Sequence, residues 1–75
     1  MTPTRLRECL TLLRWSQRGL ADALGMDEAR VRKMARGVAE VPDDVAAWLE
    51  RRAEAMAADP PPTARDGRRR AQDAA

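Results

Sequence analysis

Two glycines, Gly25 and Gly37, each follow a short run in which apolar residues stand three or four places apart. Leu20 and Leu24 lead to the first, Val31 and Met34 to the second. That spacing is helical, because residues i, i+3 and i+4 share one helix face. Glycine just past such a run enters the left-handed conformation that ends a helix, free of the Cβ penalty other residues meet. The stretch from Ser16 to Gly37 therefore reads as two short helices joined by an abrupt turn. Nothing competes with helix elsewhere: there is no Tyr or Phe, there are few β-branched residues, and no apolar run alternates.

The same signals predict two more helices. The first begins near Thr2, with Pro3 at a position where its missing N–H is harmless. Leu6, Cys9, Leu10 and Leu13 form its single apolar stripe, and it ends near Arg14. Ser16 is a suitable N-cap for a second helix, Gln17 to Leu24, with Trp15 and Leu20 placed as a hydrophobic staple. Gly19 stands where the acid of a capping box would help, and weakens this helix by up to about 1 kcal/mol relative to alanine. Asp27 is the expected N-cap of the third helix, which stops near Arg36. Pro42 is expected to open the fourth, with Asp43 and Asp44 in the first turn, where the helix dipole favours negative charge. Val45, Trp48, Leu49, Arg52 and Met56 mark its predicted inner stripe, the Arg52 stem covering the edge. Trp15 and Trp48 read as core residues. Beyond Ala58, Pro60, Pro61 and Pro62 forbid helix, and the composition predicts disorder. The expectation is an all-α, compact four-helix domain over residues 1–58, followed by a flexible Pro/Arg/Ala-rich tail over 59–75.

Composition excludes several function classes. A chain of 75 residues holds one domain, and one of marginal stability. Cys9 is the sole cysteine and there is no histidine, so neither an intramolecular disulfide nor a Cys/His zinc site can form. Among Leu6, Leu10 and Leu13, Cys9 reads as a buried apolar filler. No apolar run approaches the roughly 20 residues that span a bilayer, and the N-terminus lacks a signal-peptide stretch. No membrane partner and a cytoplasmic setting are expected. With no histidine, no carboxylate pair in an apolar setting and no phosphate-cradling glycine loop, neither an enzyme nor a cofactor is expected.

Charge is distributed unevenly. Residues 1–37 carry eight basic side chains against four acidic ones, whereas residues 38–58 carry two against five. A basic half beside an acidic half suggests one face for a polyanion and another turned away from it.

The segment QRGLADALGMDEARVRKMAR, Gln17 to Arg36, has the apolar inner positions of a helix-turn-helix in Leu20, Leu24, Met26, Val31 and Met34. It also has the small residue needed at the close helix contact, Ala21, and the turn glycine, Gly25. This set resembles the helix-turn-helix of the Cro/CI (XRE-type) family of small bacterial and phage regulators. The likeness extends to Leu6 and Leu10, to Ser16–Gln17, to Gly37, and to Pro42 through Leu49, covering about Thr4 to Met56. Two departures stand out: Gly19 replaces a common Glu, and Ala35 replaces an acid common near the end of the third helix.

The resemblance implies a lambda-repressor-like domain whose third helix lies in the major groove of double-stranded DNA while the second crosses the backbone. Glu28, Ala29, Arg32 and Lys33 are then the expected base contacts. Arg32 suits guanine O6 and N7, Glu28 suits cytosine N4, and Ala29 suits a thymine methyl. Ser16, Gln17, Arg18, Arg30 and Arg36 suit phosphates, helped by the free N–H groups of the second helix. A homodimer acting as a repressor is the expected form. The competing expectation is a helical protein-interaction module, antitoxin- or adaptor-like, using the acidic 38–58 surface. Arg68, Arg69 and Arg70 read either as a backbone-gripping arm or as an idle solvated run.

Overall fold

The computed structural model describes residues 1–62, which form four helices in chain order: α1 Pro3–Leu13, α2 Gln17–Leu24, α3 Glu28–Arg36 and α4 Asp43–Ala58. The all-α class follows, with no strand among the described residues. Residues 59–62 are exposed and non-helical, whereas the rest of the expected tail, with Arg68, Arg69 and Arg70, lies outside the described residues.

Side chains at the helix starts explain two of the boundaries. The Arg5 N–H donates to Thr2 Oγ1 at 3.0 Å, and the Gly19 N–H donates to Ser16 Oγ at 2.9 Å. Each bond satisfies one of the orphan donors of a first turn. One expectation needs correction. Asp27 occupies the N-cap position of α3 with extended backbone, but its exposed carboxylate accepts no capping bond and acts on the helix only as a nearby negative charge. Pro42 opens α4 as expected, standing at its N-cap with ψ 146° and its carbonyl accepting the Ala46 N–H at 2.9 Å, and Asp43 and Asp44 lie in the first turn.

α1, α2 and α3 end alike. The N–H two places past the last turn reaches back to a carbonyl five residues earlier: Trp15 to Leu10 at 3.0 Å, Met26 to Ala21 at 2.9 Å, Val38 to Lys33 at 2.8 Å. This is the Schellman arrangement, and it needs a left-handed residue at each corner. Gly25 (φ 65°) and Gly37 (φ 83°) supply two; at the third corner Arg14 adopts φ 61°, ψ 35° without being glycine.

α1 packs against both α3 and α4, and α2 packs against α3. The buried core comprises Leu6, Cys9, Leu10 and Leu13 from α1, then Leu20 and Ala21, then Val31, Met34 and Ala35, then Val41, Leu49 and Ala53. No polar or charged residue among those described is buried. Trp15 and Trp48 lie half-buried against this core, ring centroids 5.7 Å apart and planes tilted by 36°, a spacing favoured by aromatic pairs. The inner row of α4 differs from expectation. Ala53 is buried and Arg52 is exposed, because the row that meets α1 runs through positions 49, 53 and 56 and a methyl permits close approach there.

Polar ties connect α1 to its neighbours. Arg5 donates to both Glu50 carboxylate oxygens, Nη2 to Oε1 at 2.7 Å and Nε to Oε2 at 3.0 Å, and to Glu8 Oε1 at 3.2 Å. The fork holds the Glu50 carboxyl below its ordinary range, and the two acids push the guanidinium pKa up. Burial raises the pKa of the Cys9 thiol, in keeping with the filler role expected of it. No described helix is long and apolar enough to cross a membrane.

Candidate nucleic-acid interface

α3 has a sealed side and an open side. Val31, Met34 and Ala35 are buried, in the i, i+3, i+4 pattern of a face pressed into a core. Glu28, Arg30, Arg32, Lys33 and Arg36 are all exposed. With about 100° between successive residues, Lys33 projects almost opposite the sealed side, Glu28 and Arg32 share one flank, and Arg30 occupies the other. Ala29 is half-buried, so its methyl offers less surface than the outward position expected of it. Of the two α3 positions assigned to phosphates, only Arg30 stands apart from those assigned to base edges; Arg36 continues the Glu28–Arg32 row one turn further on.

Two of the expected base-reading residues already hold each other. Arg32 Nη1 stands 3.6 Å from Glu28 Oε2, an i, i+4 ion pair with both side chains about half exposed. Pairs of this kind are worth roughly 0.3–0.5 kcal/mol on a helix, so either partner is released readily by a better one.

At the start of α2, Ser16 and Arg18 are exposed and Gln17 is half-buried. The Ser16 hydroxyl is engaged by the Gly19 N–H, leaving its remaining lone pair and its own proton for an outside group. A shallow hollow of about 380 Å³ opens here, lined by Arg7, Leu10, Thr11, Arg14, Trp15, Ser16 and Gln17. It sets two cations, Arg7 and Arg14, beside the Ser16–Gln17 pair. Sequence reasoning passed over both, although 7, 11 and 14 stand at i, i+4 and i+7 and so form one row along α1. Arg7 is also tied to α3, donating through Nη1 to the Ala35 carbonyl at 2.6 Å. Position 35, where the resembled family often has an acid, is packed at 2% exposure and its backbone oxygen is taken by this guanidinium. None of the expected α3 contacts lines the hollow.

Among the described residues no cluster of His, Cys, Asp or Glu is arranged to hold a metal ion. Compared with protein-family models, with curated proteins and with solved structures, the chain finds no match in any of the three.

Proposed function

We propose that the chain is a sequence-specific DNA-binding regulator of the helix-turn-helix type, a cytoplasmic protein that represses by occupying an operator. In this reading α3 lies in the major groove. Glu28, Arg32 and Lys33 meet base edges, with a smaller part for Ala29; Ser16, Gln17, Arg18, Arg30 and Arg36 meet phosphates. The observation that carries the reading is the division of α3: three side chains buried without a polar partner, and four cations plus one acid exposed on the remaining surface. The left-handed corner at Gly25 and the capped start of α2 support the same geometry. So does the likeness to Cro/CI regulators, which rests on residues that also build the core.

Selection of bound sequences from a random duplex pool at moderate salt tests the proposal, and a recurring consensus is the expected result. On that consensus, Arg32→Ala should weaken binding by about 1–3 kcal/mol and relax one base position, whereas Arg18→Ala should weaken all sequences alike and flatten the salt slope. Equal losses for Arg32→Ala on consensus and random DNA contradict the assignment. Absence of binding to any duplex at low salt favours instead the protein-interaction reading, whose surface is the exposed acidic side of α4: Asp43, Asp44, Glu50 and Glu54.

A further inference from the structure

One apolar side chain projects from a face that neither α2 nor α3 contributes to. Leu12 on α1 is 46% exposed. It belongs to the row Arg5, Glu8, Leu12, and it stands between two hollows that share Arg5 and Leu12 as walls. One, of about 410 Å³, is completed by Thr4, Arg7, Glu8 and Thr11; the other, of about 300 Å³, by α4 residues including Arg51, Glu54 and Ala57.

We propose that this α1–α4 face is where a second copy of the chain docks, with Leu12 of each copy entering a hollow of the other. A two-fold contact must be self-complementary, so a projection and a recess have to lie side by side on one surface, as they do here. The charges obey the same requirement. Three cations on this face, Arg5, Arg7 and Arg51, are balanced by three acids, Glu8, Glu50 and Glu54, whereas the exposed face of α3 is predominantly cationic and would repel its own copy. Within the chain Arg5 is held by Glu8 and Glu50 and Arg7 by the Ala35 carbonyl, but among the described residues Arg51 and Glu54 form no ion pair, which leaves one unengaged charge of each sign to cross the axis. Association also suits a domain of this size, whose single core is thin. The inference deepens the DNA reading by naming a surface lined by α1 and α4, which leaves the exposed side chains of α2 and α3 free and meets the candidate DNA interface only at Arg7 and Thr11, walls of hollows on both.

Sedimentation equilibrium of the full chain over a wide concentration range tests it. The unaltered protein is expected to show a monomer–dimer equilibrium. Leu12→Glu should weaken the dimer about tenfold or more, with unchanged helix content and, at concentrations where both proteins are monomeric, an unchanged thermal midpoint, because Leu12 is not part of the core. Arg51→Glu and Glu54→Arg should each weaken it, and mixing those two proteins should restore a heterodimer. A protein that stays monomeric at every concentration, or a dimer indifferent to Leu12→Glu, overturns the proposal. The two readings separate on a duplex carrying one half-site: Leu12→Glu should bind it as the unaltered chain does, so failure of both proteins there counts against DNA recognition and not against this interface.

Discussion

Replacing Arg14 with glycine should stabilise the fold. Arg14 ends α1 at φ 61°, ψ 35°, and among the described residues it is the only non-glycine with positive φ. Left-handed backbone costs a non-glycine residue about 1–3 kcal/mol. These angles lie close to the centre of the left-handed region, so the strain belongs at the lower end of that range or slightly above it. Glycine removes the strain but returns about 0.4–1 kcal/mol of freedom to the unfolded chain. The net gain is therefore about 0.5 kcal/mol, which for a domain this small is about 2–4 °C in melting temperature. Two companion variants calibrate the measurement. At Gly25 (φ 65°) an added Cβ meets nothing within 4 Å, so Gly25→Ala isolates backbone strain and should lose about what Arg14→Gly gains. At Gly37 (φ 83°) an added Cβ would stand 3.0 Å from Pro3 Cγ, so Gly37→Ala should lose more. Thermal and urea unfolding followed by circular dichroism provides the readout. If Arg14→Gly melts at or below the unaltered protein while Gly25→Ala is destabilised, the strain argument at position 14 is wrong and contacts of the arginine side chain outweigh it.

Other substitutions probe different parts of the fold. Ser16→Ala removes the cap on the Gly19 N–H and should cost about 1 kcal/mol in urea unfolding, with the loss reduced if a glycine is placed at 16 instead. Met34→Ala empties a fully buried position between α3 and its neighbours and should cost about 2–5 kcal/mol, enough to unfold much of a marginal domain. The buried Cys9 thiol, whose pKa burial raises, should resist a thiol reagent until the protein unfolds. Its pH effect has a definite sign: with the folded pKa above the unfolded one, stability is full below the ordinary thiol value of about 8.5 and falls as pH climbs past it. Cys9→Ala should abolish that alkaline decline, as pH-dependent melts will show.

Helix number and most boundaries were readable because the punctuation is written in side chains: Thr2 and Pro3, Ser16, Gly25 and Gly37 each sit where local chemistry demands them. The corner at Arg14 was harder, since no glycine announces a left-handed residue, and only the return bond from Trp15 to Leu10 reveals it. The choice between Arg52 and Ala53 on α4 depended on which neighbouring row meets α1, a tertiary matter that periodicity leaves open within one position. At the candidate interface, the open side of α3 followed from the burial of Val31 and Met34, but the Arg7 bond to the Ala35 carbonyl spans 28 positions and has no local signature. The same holds for the hollow that brings Arg14 beside Gln17: it exists only once α1 and α2 are joined through their shared corner.

The two-sided character of α3 has a further meaning for how such a chain changes over time. Among the described residues, the only side-chain bond made on its open side is the weak Glu28–Arg32 pair. Positions 28, 30, 32, 33 and 36 can therefore be rewritten with little penalty to the scaffold, while 31, 34 and 35 stay put. On the proposed reading, preference for a new target is thus a short mutational walk, taken without first acquiring extra stability.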